Sequence, residues 1–159
     1  MAWIDASSVK LGCIGFSKTK SVRNSRYGSP LAKDVCKKAN SKAHLIEIFN
    51  DKQSRFLMSK KVRKQVQTHI GIDTNTARYW WIGLAWNGNW YWEHSKKQVT
   101  YWSRIGGNGY GRGYPYGVVL LSRRTAWWNR SAKSGHFSSI CQISVVSKSD
   151  QGGRILILV

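Results

Sequence analysis

The chain has 159 residues, with 26 Lys+Arg against seven Asp+Glu and a formal net charge of +19. A hydrophobic content of 42% with nine Trp argues against disorder, and the length suits one domain with a real core. No apolar run approaches the roughly 20 residues of a membrane span.

So large a positive excess repels itself in the compact state and attracts polyanions. The seven carboxylates are Asp5, Asp34, Glu47, Asp51, Asp73, Glu93 and Asp150. None lies between Glu93 and Asp150, a span that holds nine Lys and Arg. The start "MAWIDASSVKLGC" has no basic stretch followed by an apolar one, so no signal peptide is visible, and a secreted form is expected to have lost its leader. Three cysteines, Cys13, Cys36 and Cys141, allow one disulfide with a leftover thiol, or a bond between chains. Their spacings fit no zinc pattern.

In chain order, "SPLAKDVCKKAN" predicts a short helix with Ser29 as N-cap and Pro30 at the first helical position. Ala32, Val35, Cys36 and Ala39 form its apolar stripe, which turns Cys36 toward the core. The strand-like "AHLIEIF" follows. A second helix is expected from about Asn50 to Gln67, with Asn50 and Gln53 spaced as a capping box. Its apolar row is Met58, Val62, Val66 and Ile70. Arg55, Lys60, Lys61, Arg63 and Lys64 cover the rest, as a solvated face or as a face that docks a polyanion.

From Tyr79 onward the pattern is that of strands. "WIGLAWNGNWYWEH" sets Asn-Gly between two aromatic runs, a strong hairpin signal. "GVVLL" and "ICQISVV" read as buried strands and "AWWN" as a short one. Between them lies "IGGNGYGRGYPYG", glycine-rich, aromatic and cationic, with no acidic side chain. The tail "SKSDQGGRILILV" ends in five aliphatics, Ile155 to Val159, which suit an edge strand or a sticky strand for a second copy. The organisation expected is one domain over 1–147 and a polar, glycine-bearing segment with an apolar end over 148–159.

The order helix, strand, helix, "YWWIGL", "GNWYW", long loop, "GVVLL", "WWNRSA" and "SSIC" resembles the C-type lectin-like domain from about Cys13 to Val145. The resemblance implies an α+β fold, with two helices packed on small antiparallel sheets and a long glycine-rich loop. It implies a disulfide between Cys36 and Cys141. The family's second disulfide looks absent, with Gly117 at the place of one cysteine and Lys133 near the other. Cys13 looks like a remnant of an N-terminal hairpin pair and is a candidate for a bond between copies. Trp81, Trp90, Trp92, Trp102 and Trp128 fall on family core or strand positions.

Departures from the family pattern bear on function. Sugar-binding members hold calcium through two triplets that carry carboxylates. Here these fall on Gly106, Gly107 and Asn108, and on Trp128, Asn129 and Arg130. Only Asn108 and Asn129 remain, and two neutral amides do not offset the desolvation of a divalent cation. No cofactor and no metal is expected.

His44, His69, His94 and His136 have no carboxylate at a spacing that suggests a dyad, and no nucleophile elbow, phosphate loop or metal motif is present. A non-enzymatic, secreted binding protein is therefore expected. Its contact would be cationic: Arg104, Arg112, Arg123, Arg124, Arg130 and Lys133, with the amides of Asn108 and Asn129 and the flat faces of Tyr110, Tyr114 and Tyr116. The expected partners are anionic polysaccharide, an anionic cell surface, or a mineral such as silica or carbonate. Nucleic acid would bind only non-specifically. A self-assembling matrix protein, joined through Cys13 or Ile155–Val159, is the alternative. Asn129-Arg130-Ser131 is a formal glycosylation sequon in a predicted strand.

Overall fold

The computed structural model describes residues 1–24, 28–103, 113–122, 126–131 and 133–144, with the backbone alone for 126–130. The boundary expected at 147/148 and the tail Ile155–Val159 lie outside the described residues.

The chain opens with a hairpin of β1 (Ala2–Asp5) and β2 (Cys13–Phe16), joined through a 3-10 turn at Ser7–Val9. The first helix, α1, spans Ala32–Ala39. It begins later than the sequence suggested, with Leu31 and not Ser29 as N-cap and no side-chain cap. The reason is local: Val22 and Leu31 form an isolated bridge, so the Val22 carbonyl accepts from the Ala32 N–H at 2.9 Å and replaces a capping hydroxyl. Ala32 and Cys36 are buried, whereas Ala39 at the end of the expected stripe is exposed.

The strand expected over "AHLIEIF" is regular only at β3 (His44–Leu45). The expected second helix is two helices, α2 (Asp51–Leu57) and α3 (Lys60–Ile70). Ser59 breaks the run because its hydroxyl caps α3, accepting from the Val62 N–H at 3.3 Å. The Asn50 side chain caps α2 through the Gln53 N–H at 2.9 Å, and the Gln53 side chain reaches back to the Phe49 N–H at 2.8 Å. The capping pair thus closes one residue further back than the usual reciprocal box.

The remaining strands are β4 (Tyr79–Trp86), β5 (Trp90–Trp92), β6 (Tyr116–Leu121), β7 (Ala126–Ser131) and β8 (Ser138–Ile143). The sheet runs β1-β2-β8-β4-β6-β7, with β3 on β8 and β5 on β4. β4 and β8 are parallel; the other pairs are antiparallel. The β4–β5 register pairs Trp86 with Trp90, so Asn87, Gly88 and Asn89 form the turn, with Gly88 at φ 110°.

β4 explains the run "WIGL". Trp80, Ile82 and Leu84 enter one core with Phe16, Ile46, Ile48, Val62, Val66 and Trp92. Trp81, on the opposite face, enters a second core with Cys36, Cys141, Leu45 and Val118. A strand covered on both faces reads as a continuous apolar run. Gly83 lies where the chain after β3 crosses: a Cβ there would stand 3.0 Å from the Leu45 carbonyl oxygen and 3.1 Å from that of Ile46. Trp90 is also buried, and Trp102 packs at the edge of the first core.

Cys36 and Cys141 are bonded, with Cα atoms 5.5 Å apart, joining α1 to β8. Cys13, the candidate for a bond between copies, is a free, buried cysteine. It is 4% exposed within β2, flanked by β1 and β8, and burial, with some help from Asp5, pushes its thiol pKa up. Such a thiol is not readily ionised.

Candidate functional site

Arg104, Asn108, Tyr110, Arg112, Arg123 and Arg124 lie outside the described residues, so the centre of the expected cationic loop does too. What is described is its frame. In the β6–β7 ladder Tyr116 stands opposite Ser131, Gly117 opposite Arg130, and Val118 opposite Asn129. β7 ends the sheet path, which sets the Asn129 and Arg130 backbone on the outer strand. The Pro115 carbonyl accepts from the Trp86 N–H at 2.9 Å and fixes the loop's return to β4. Tyr114, just before it, is 49% exposed. Gly117 is tightly packed: a Cβ there would come within 2.3 Å of the Leu84 side chain, so a cysteine at this position would displace it.

Tyr116 is not a free contact face. Its ring takes the Arg23 guanidinium, 4.4 Å from the ring centroid. The Arg23 side chain is 3% exposed and pairs with Glu93. The Lys133 carbonyl accepts from the Arg23 and Asn24 N–H groups at 3.0 and 3.3 Å. Tyr116 and Lys133 are therefore brought together around an arginine that sequence reading passed over. The available signal was Glu93 itself, the last carboxylate before a long basic span.

A second group of side chains is gathered at a cavity of about 200 Å³ between α1, β3 and the turn after β5. Lys33 and Lys37, one turn apart on α1, face His44, Gly83, Glu93, His94 and Lys96. The His44 and His94 rings stack with centroids 3.6 Å apart and planes 2° apart. His44 Nδ1 donates to the Leu45 carbonyl at 2.8 Å, which leaves Nε2 to accept from the Ser144 hydroxyl at 2.7 Å. Burial holds the His44 pKa below the ordinary imidazole value. The Glu47 carboxylate, itself buried, accepts from the His94 and Ser95 N–H groups at 3.0 and 2.9 Å and pins that turn. Nothing in the sequence signals that His94 would lie on His44, 50 residues away.

The α3 face is solvated. Lys60, Lys61, Arg63 and Lys64 are exposed, and Arg63 Nε reaches Asp73 at 3.2 Å. Among the described residues no three His, Cys, Asp or Glu side chains come together as a metal would need.

No family model and no curated protein sequence matches this chain. Solved structures do. The C-type lectin CEL-I from Cucumaria echinata superposes with a TM-score of 0.62 at 18% identity, covering 89% of this chain and 94% of that one. The human scavenger receptor C-type lectin carbohydrate-recognition domain gives 0.60 at 17% identity, covering 90% and 96%. Ovocleidin-17, a major protein of the Gallus gallus eggshell calcified layer, gives 0.55 at 14% identity, covering 90% and 96%. The chain has the C-type lectin-like fold, α+β in class.

Proposed function

We propose that the protein is a non-enzymatic extracellular binding module that holds anionic polymers or surfaces by direct cationic contact, without calcium. One observation carries this reading: of the six described carboxylates, all but the exposed Asp34 on α1 are engaged within the fold. Glu93 is paired with Arg23, Asp51 with Arg55 and Asp73 with Arg63. Glu47 and Asp5 accept from backbone N–H groups. Lys33, Lys37 and Lys38 on α1 and Lys60, Lys61 and Lys64 on α3 stand exposed. An unbalanced cationic surface of this kind recruits polyanions.

The fold's calcium sites do not suit this donor set. The positions that carry carboxylates in sugar-binding relatives hold glycine, asparagine and arginine, and β7 sets the Arg130 backbone opposite Gly117. A divalent cation with several oxygen ligands has no counterpart for them here. Arg104, Arg112, Arg123, Arg124, Arg130 and Lys133 would grip sulfate or carboxylate, with Asn108, Tyr110, Tyr114 and Asn129 beside them. Tyr116 takes part through Arg23 as a support of the loop. The partners are sulfated or uronic polysaccharide or a mineral phase, and the disulfide fits an oxidising compartment.

A self-assembling matrix protein is the second reading. The structural likeness to a protein of the calcified eggshell layer favours it. The burial of Cys13 weighs against that residue as the joining device and in favour of 155–159.

The test is a glycan array and a mineral-particle pull-down at about physiological salt, with calcium and with chelator. Retention of sulfated glycans or silica in chelator supports the proposal. Retention of neutral sugars, lost in chelator, contradicts it.

A further inference from the structure

We propose that the cavity between α1 and the turn after β5 is a discrete site for a tetrahedral oxyanion, the sulfate or phosphate ester of a larger ligand, held by Lys33, Lys37, Lys96 and the His94 ring. The proposal deepens the anionic-polymer reading and rests on it for the ligand class.

Charge is the first ground. Three lysines from two elements converge on one cavity, and none has an ion pair among the described residues. The two carboxylates nearby are already engaged, Glu93 by the buried Arg23 and Glu47 by two backbone N–H groups. Neither is left to neutralise the lysines.

Shape and donor type select the ligand. At about 200 Å³ the cavity is smaller than the roughly 300–1,000 Å³ of pockets that enclose a drug-sized molecule. It suits a substituent, not a sugar chain. Ammonium groups are point donors, unlike the planar fork of arginine that matches a carboxylate. Several point donors from different directions suit an anion that presents oxygens in three dimensions.

The site is also built. His44, fixed by Leu45 and Ser144, is the platform on which His94 lies flat. Gly83, in β4, also lines the cavity. Lys96 holds φ 64°, a left-handed conformation that costs a side-chain-bearing residue energy. Its N–H donates to the Trp92 carbonyl at 2.8 Å, which closes the turn that carries it to the cavity. Strained residues of this kind gather at binding sites.

Calorimetry and histidine side-chain NMR on the whole chain test the proposal, with sulfated N-acetylglucosamine, phosphorylated N-acetylglucosamine and glucuronate as probes. The two esters are expected to saturate and to shift the His44 and His94 resonances, the tighter of them naming the source. Lys37→Gln and His94→Gln, both at exposed positions, should each weaken binding about tenfold. Lys64→Gln on α3 should leave it unchanged.

Glucuronate binding as tightly as the esters, shifts without saturation, or an equal loss in Lys64→Gln would overturn the site. Heparin binding separates the two levels. Heparin retained by a protein that binds neither ester removes the cavity and leaves the polymer reading. Ester binding without heparin binding removes the polymer reading and leaves the cavity.

Discussion

The Arg23 guanidinium lies over the Tyr116 ring, 4.4 Å from its centroid, and so ties the segment before α1 to the first residue of β6. Glu93 completes the contact from the turn after β5. Three distant parts of the chain meet at one buried cation.

Removing the carboxylate leaves that cation buried and unpaired. Glu93→Gln should cost about 1.5–3 kcal/mol, the value of a hydrogen bond to a charged group, since Glu93 is itself 38% exposed. Urea unfolding measures it. If Arg23→Met, Glu93→Gln and the double variant behave additively, the two side chains are not coupled.

The Cys36–Cys141 bond closes 105 residues of sequence. In the chain-entropy model it contributes about 4–5 kcal/mol by restricting the unfolded chain. The Cys36→Ser, Cys141→Ser variant should unfold at correspondingly lower urea. Cys13 should react with a thiol reagent only as the protein unfolds, since it is 4% exposed. Rapid labelling of native protein would contradict its described burial.

Gly83→Ala tests the chain crossing. The new Cβ meets two backbone oxygens at 3.0 and 3.1 Å, and backbone yields less readily than a side-chain tip. A loss of about 1–3 kcal/mol is expected, in the range of overpacked cores. A neutral result would mean that the strand and the chain after β3 separate freely.

Acid should weaken the fold through His44. Its folded pKa is depressed, chiefly by burial and in smaller part by His94. The unfolded chain takes up its proton near the ordinary value of about 6.5, while the folded protein resists until lower pH. Stability from this residue is therefore complete above about pH 6.5 and falls below it, levelling off once the folded ring is also protonated. Denaturation midpoints over this range should show a shallower slope for His44→Gln than for the parent.

Much of the fold was legible where residues obey one rule at a time. "YWWIGL" read as a strand and is one, and Val62 and Val66 kept helical spacing into the core. Where two local rules compete, the sequence was less decisive. Ser59 could sit inside a long helix or cap a new one, and the cap won. Ser29 could cap α1, but the Val22 carbonyl, ten residues before Ala32, met the same need.

The site was harder to read because its contacts are long-range. The sequence separation of Arg23 and Glu93 is 70, and nothing near either residue names the other. His44 and His94 belong to two elements that meet only once the sheet has formed. Tyr116, expected to face a ligand, carries the same aromatic character whether it stacks on sugar or on Arg23. The lack of carboxylates at Gly106, Gly107, Asn108, Asn129 and Arg130, in contrast, is a matter of sequence alone and needs no geometry to be noticed.

Cationic contact without calcium is tested most directly by binding to immobilised heparin as salt is raised, in calcium and in chelator. Equal affinity is expected in both, falling steeply with salt as bound counterions are released. Affinity that survives high salt but vanishes with chelator would contradict it, and a calcium-held ligand would take the place of the cationic contact.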